Sequence, residues 1–316
     1  MKISVIIPTY NSEEDIERAI KSLLTQTLKP HEIIVVDGGS TDSTTEIVGE
    51  FRDVNLIINH KSHRPGSSRN LAADIAEGDV LFFFDSDCIA DGRLLEWHIR
   101  TYERRNDIVG VKGSIRSMKR GKVSDFVEKQ LLASQWTNLM PDGTMGIFHA
   151  GTNFSIYREV FLEMKFREDV ISCEDTELFI RLRKRNLKVF YEPRAFLYHR
   201  HPDTLEELFE QRKWYGEGIY QLVKIHGRDF TSIYPLFSTE KYMNSPRKFL
   251  YDAVFRDNRL LCDGCKVSIL QGCKIEVPKL KEKDIVTDID IHRVTCLALA
   301  AGILKRRTGI DYRWRN

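Results

Sequence analysis

Through its first hundred residues the chain alternates two hydrophobic patterns. Ile3–Ile7 (ISVII), Glu32–Val36 (EIIVV), Asn55–Ile58 (NLII) and Val80–Phe84 (VLFFF) are short, nearly unbroken apolar runs. Runs of that kind read as strands buried on both faces. Between them Glu13–Leu24, Ser43–Phe51 and Ser67–Ala76 have helical spacing, and in the first of these Ile16, Ala19, Ile20, Leu23 and Leu24 fall on one stripe. Strand–helix–strand repetition with short connections predicts an α/β fold with a mostly parallel central sheet covered by helices on both faces. The pattern then loosens. Lys122–Trp136, Glu174–Arg185 and Leu205–Ile225 read as helices, Gly146–Ile156 as one or two strands around Gly151, and Val189–Tyr191 and Ala195–Tyr198 as short strands. We therefore expect one α/β domain over residues 1–225 and a mainly helical region over 226–316.

Ligands of such sheets bind in the crevice outside the carboxyl ends of the strands. The strand ends here are Pro8-Thr9-Tyr10-Asn11, Asp37-Gly38-Gly39-Ser40-Thr41-Asp42 and Asp85-Ser86-Asp87, and the segment after the third strand carries Arg64, Gly66 and Arg69. Asp85 and Asp87 suit a hard divalent cation, Mg²⁺ or Mn²⁺, which binds through one or two carboxylates plus substrate phosphates. A plain turn is the alternative for an isolated Asp-x-Asp. Asp37 follows two buried valines and is placed to accept from a ligand, with glycines beside it that permit close approach; Asp42 is read as a helix cap. Glu174 and Asp175 open a helix, where the dipole favours carboxylates. Asp175 is the candidate general base, and Glu174 is read either as a helix-end charge or as a functional group.

Composition narrows the classes. Lys and Arg number 48 against 46 Asp and Glu, for a net charge of +2 over 316 residues, which gives no basic footprint for nucleic acid. Hydrophobic residues make up 42% of the chain and charged residues 30%, enough apolar content for a packed core. Six cysteines are too few for a disulfide scaffold. Cys262, Cys265 and Cys273 have metal-ligand spacing in the first pair alone, and zinc there is left open. No apolar run reaches the roughly 20 residues of a membrane span; the longest, Val294–Leu304, is followed by a basic tail that either packs as a helix or rests on anionic lipid. A cytoplasmic chain is expected, possible contact with the inner membrane face included.

Taken together, SVIIPTYNSEEDIERAIKSLLTQ, EIIVVDGGSTDST, GSSRNLAADIAEGDVLFFFDSDC and CEDTELFIRL resemble the inverting glycosyltransferases of family 2, which have the GT-A fold. The likeness runs from Ile3 to about Ile225. It implies an enzyme that moves one sugar from a nucleotide-diphosphate sugar to a hydroxyl of a glycan, lipid-linked glycan or polyprenyl-phosphate acceptor, with Mn²⁺ or Mg²⁺. By position, Pro8, Thr9, Tyr10, Asp37, Gly39, Arg69, Asp85 and Ser86 would line the donor site. Asp87 and Asp85 would serve the metal, with His199 preferred to His201 as a further ligand, and Asp175 would be the catalytic base. UDP-sugars are favoured over GDP- and dTDP-sugars. The segment Gln211–Gly218 departs from the Gln-x-x-Arg-Trp of processive synthases, which points to single transfers. A nucleotidyltransferase is disfavoured because Pro8–Asp15 has neither Gly nor a basic residue. The remaining alternative is an inactive nucleotide-sugar-binding or scaffold protein on the same fold. The sugar, the acceptor and the oligomeric state are left open.

Overall fold

The computed structural model describes residues 1–137, 139–146 and 150–227, together with 259–262, 267–270, 294–295, 298–299, 301–303 and 305–306. The chain divides into two compact units. The first holds Met1–Met118, Glu128–Asp169 and Glu174–His201; the second holds Lys119–Val127, Val170–Cys173 and the described residues from Pro202 onward.

The first unit is built on an eight-stranded sheet of order β3-β2-β1-β4-β7-β6-β8-β5. Its strands are β1 (Ile3–Thr9), β2 (Glu32–Asp37), β3 (Val54–Ile58), β4 (Val80–Phe83), β5 (Cys88–Ala90), β6 (Gly110–Ser117), β7 (Phe154–Tyr157) and β8 (Val189–His199). The half made of β1 to β4 is parallel, as the apolar runs predict. In the other half β7 runs antiparallel to β4 and β6, and β5 antiparallel to β8. Alternation along each strand explains why these runs are apolar throughout. Val5, Ile7, Ile33, Val35, Phe82 and Phe84 face one core, into which helix α1 (Ile16–Leu24) sends Ile16, Ala19, Ile20 and Leu23. Ile6, Ile34, Val36, Leu81 and Phe83 face the other, against α3 (Pro65–Ile75), α6 (Arg158–Met164) and α7 (Glu174–Lys184). Helices α2 (Thr44–Gly49) and α4 (Leu94–Arg104) complete the first core's side.

The sequence reading needs correction in the second half of this sheet. The two short strands expected around Val189 and Ala195 are one strand, β8. A register shift opposite Gly113 and Ser114 takes up Pro193, Arg194 and Ala195, so a proline without an amide hydrogen sits where the ladder skips. Among the described residues of the expected Gly146–Ile156 strands the structure has β7, preceded by a bend over residues 151–153. Helix α7 docks as its pattern predicts, with Leu178, Phe179 and Leu182 buried in the second core.

In the second unit, helix α8 (Leu205–His226) starts at Thr204, whose side chain accepts from the Glu207 amide. Helix α5 (Lys122–Thr137) begins in this unit. A Cβ at Gly216 would overlap the Leu299 carbonyl, and one at Gly302 the carbonyl of Lys213. Val294, Ala298, Leu299, Ala301 and Ile303 are buried, so the described part of the late apolar run is packed against α8. A small antiparallel pair, β9 (Arg259–Cys262) with β10 (Val267–Leu270), also belongs here. Cys265, Cys273 and the basic tail after Arg306 lie outside the described residues, as does the side chain of Cys262. Among the described residues no helix is long and apolar enough to cross a membrane.

Candidate active site

The residues expected to bind the donor, the cation and the acceptor proton belong to the first unit. At the end of β1, Thr9 is buried and its hydroxyl finds no partner among the described residues. Tyr10 is 46% exposed, its ring 4.9 Å from that of His63. At the end of β2, Asp37 is fully buried. Its Oδ1 accepts from the amides of Gly39 and Ser40, each at 2.8 Å, and its Oδ2 from the Ser40 hydroxyl at 2.5 Å. Gly39 has φ +86°, the left-handed conformation that a glycine tolerates. Asp37 thus shapes the turn after β2. His63 leans over that turn and bonds the Gly38 carbonyl through Nδ1. Asp42 accepts from the Thr44 amide and hydroxyl beside the start of α2, in keeping with a capping role.

Asp85, Ser86 and Asp87 follow β4. The Ser86 hydroxyl lies 2.9 Å from that of Ser12. Asp85 Oδ1 accepts from Arg69 Nη2 at 2.6 Å, and its amide donates to the Thr152 hydroxyl. Asp87 Oδ1 is 3.3 Å from His199 Nε2. This meeting is produced by the register of β5 on β8, which pairs Cys88 with His199. Withdrawal from water raises the Asp87 pKa, Asp85 and Asp15 add to the rise, and His199 opposes it. His201 stands behind: its Nδ1 lies 3.1 Å from Nδ1 of His199, on the side away from Asp87.

Asp87, Cys88 and His199 bring one ligand atom each within 4.8 Å of one another. A carboxylate oxygen suits Mn²⁺ or Mg²⁺, and an imidazole nitrogen beside it is acceptable to Mn²⁺. Cys88 is the poorer donor, because burial pushes its thiol up and keeps it protonated. The donor set therefore fits a divalent cation held by Asp87 and His199, with coordination positions left for oxygens of a ligand.

Arg69 joins this acidic corner to the start of α7. Its guanidinium is 4% exposed; Nη1 donates to Glu174 Oε1 at 2.7 Å while Nη2 serves Asp85. Its Nε is buried and finds no hydrogen-bond partner among the described residues. Glu174, 8% exposed, is therefore a buried ion-pair partner and not a solvated helix-end charge. Burial raises its pKa, and Arg69 holds the rise back. Asp175 Oδ2 accepts from the Ala150 amide at 2.7 Å, and Oδ1 from the Thr176 amide at 2.6 Å. Oδ1 also accepts from the Thr176 hydroxyl at 3.3 Å, so Oδ2 is the oxygen with a lone pair for a further donor.

The sequence reading missed three groups around residues 150–153. Lys112 is fully buried on β6 and donates to the Thr152 carbonyl. His98 on α4 is fully buried, with Nε2 at 2.9 Å from Asn153 Oδ1 and Nδ1 at 2.8 Å from the Ser155 hydroxyl. Asn153 donates to the Ser114 and Ala195 carbonyls. A lysine in a strand and a histidine in an amphipathic helix carry no local signal of such burial.

The eight-stranded mixed α/β sheet with its flanking helices has the GT-A fold. The chain belongs to glycosyl transferase family 2, whose family model matches residues 4–162. It is 40% identical over 116 residues to a poly(ribitol-phosphate) beta-glucosyltransferase of Bacillus spizizenii, covering 34% of this chain and 18% of that protein. It is 27% identical over 231 residues to the O-antigen chain rhamnosyltransferase of Salmonella typhimurium, covering 70% of this chain and 72% of that one. Among solved structures, glucosyl-3-phosphoglycerate synthase from Mycobacterium tuberculosis, in complex with Mn²⁺, UDP and phosphoglyceric acid, shares the fold. Its TM-score is 0.53 at 23% identity, covering 71% of this chain and 78% of that one.

Proposed function

We propose that this glycosyltransferase moves a single sugar, with inversion, from a nucleotide-diphosphate sugar to a hydroxyl of a glycan, lipid-linked glycan or polyprenyl-phosphate acceptor. One observation carries the reading: a single buried guanidinium, Arg69, spans from the acid at the end of β4 to the acid beside Asp175. Donor-side carboxylates and the candidate base are thereby held within one side chain's reach of each other.

The nucleoside would lie over the ends of β1 and β2, near Pro8, Thr9, Tyr10, Asp37 and Gly39. The unpartnered Thr9 hydroxyl and the exposed Tyr10 ring support that placement. Asp37 Oδ2 has a lone pair to spare for a base N–H, once His63 moves off the turn. Asp85 and Ser86 would follow the ribose and diphosphate. Asp87 and His199 would hold Mn²⁺ or Mg²⁺, which when bound neutralises charge developing on the departing diphosphate. Asp175 would accept the acceptor's hydroxyl proton as that oxygen bonds to the anomeric carbon. The bond from that carbon to the diphosphate breaks on the opposite face, and the nucleoside diphosphate leaves with the electron pair.

The glucosyl- and rhamnosyl-transferring relatives support a hexose donor, and the UDP–Mn²⁺ complex on the same fold supports UDP. The test is a thermal-shift comparison of UDP-, GDP- and dTDP-sugars with Mn²⁺, followed by turnover of the best donor. Stabilisation by UDP-sugar above the others is expected. Greater stabilisation by GDP-sugar at equal concentration would overturn the donor assignment.

A further inference from the structure

Four consecutive residues, Ala150 to Asn153, each touch a different part of the site. The Ala150 amide holds Asp175 Oδ2. A Cβ on Gly151 would come within 3.2 Å of Arg69 Nη1. Thr152 takes the Asp85 amide on its hydroxyl and the Lys112 ammonium on its carbonyl. Asn153 is bolted to β6 and β8 through its side-chain amide and to His98 through Oδ1. Two of the four, Ala150 at φ +88° and Asn153 at φ +54°, lie in the left-handed region without being glycine. Such a segment costs free energy and persists where its surroundings over-determine it.

We propose that Lys112 is a positioning residue, its buried ammonium pinning the 150–153 segment so that the Ala150 amide fixes Asp175. The role assigned to Asp175 rests on the function proposed above; the pinning itself does not. A neutral side chain could meet the Thr152 carbonyl as well, and burying an ammonium is costly. Neighbouring carboxylates offset that cost. The charged and titratable groups acting on Lys112 include Asp175 from α7, Asp85 from the end of β4, Cys88 from β5, Arg69 from α3 and His98 from α4. The two carboxylates favour its charged form and Arg69 opposes it, while burial brings its pKa down to about 7. Lys112 thus touches the segment through a hydrogen bond and the two acids through its field.

The test compares Lys112→Met, which keeps the stem and removes the donor, with Lys112→Gln, which keeps a neutral donor. Amide exchange at Ala150 should quicken by about tenfold or more in Lys112→Met, with core amides of β1 and β2 unchanged. Lys112→Gln should restore much of that protection. In the active enzyme, Lys112→Met should lower kcat by roughly tenfold to a hundredfold while affinity for UDP with Mn²⁺ stays close to wild type. A second measurement needs no change at position 112: the side-chain NMR titration of Lys112 should move to lower pH in Asp175→Asn. Unchanged Ala150 exchange in Lys112→Met, or equal acceleration throughout the sheet, would overturn the proposal. So would an unmoved Lys112 titration in Asp175→Asn. A wild-type chain that turns over no donor sinks the transferase reading alone and leaves the exchange result standing.

Discussion

Arg69 and Glu174, 105 residues apart in sequence, form a buried ion pair at 2.7 Å. Removing one partner of such a pair strands the other's charge, which typically costs about 3–5 kcal/mol, whereas removing both is far milder. Arg69→Met should therefore destabilise the chain by about that amount, and Arg69→Met with Glu174→Gln should recover much of the loss. Urea unfolding of both variants checks this. A double variant as unstable as the single would show that the pair itself is not what Arg69 supplies.

Asp87 and His199 are the groups expected to hold the divalent cation. Asp87→Ala should abolish the Mn²⁺-dependent part of UDP binding, with little effect on the unfolding midpoint because the side chain is only partly buried. His199→Ala should weaken it to a lesser degree. Calorimetry with UDP, with and without Mn²⁺, reads both; an unchanged Mn²⁺-dependent affinity in Asp87→Ala would remove Asp87 from the site.

Asp175→Asn keeps the shape and the two backbone hydrogen bonds of the carboxylate only in part, and loses its basicity. General-base assistance is worth about 10²–10⁴-fold, so kcat should fall by that order. Affinity for UDP should be spared. Near-normal turnover in Asp175→Asn would exclude it as the base.

His98 gives a stability signature with pH. Burial lowers its pKa from 6.5 to about 4, and its ring is neutral, with Nε2 donating to Asn153. Between those values the unfolded chain binds a proton that the folded chain does not, so stability falls as pH drops from 6.5 toward 4. At about 1.4 kcal/mol for each pKa unit, the His98 share of that loss is about 3 kcal/mol. Unfolding of wild type and His98→Gln at pH 7 and pH 4.5 isolates it, the variant losing less on acidification.

How much of this could be read in the residues differs by region. The half-sheet of β1 to β4 was legible because its strands are apolar on both faces and end in Asp37 and in Asp85-Ser86-Asp87. The β6 strand was not, because Lys112, Ser114 and Arg116 break any apolar run, and Lys112 is buried only by tertiary contacts. Short β5 has three residues and no pattern of its own. The proximity of Asp87 to His199 therefore had no local trace: it follows from the register of β5 on β8. Glu174 beside Asp175 reads either as a helix-end charge or as a functional group for a similar reason, since its partner Arg69 comes from a distant helix.

The pairing of β5 with β8 also bears on how the molecule assembles. Asp87 and His199 meet only when the edge strand seats, which closes a long loop of chain and is entropically slow. The two groups expected to hold the cation are thus brought together by one of the most non-local contacts in the sheet. Cation binding should then report the finished sheet and not its early intermediates. During refolding, competence to bind Mn²⁺ should appear after the β1–β2 and β1–β4 pairings have gained their protection.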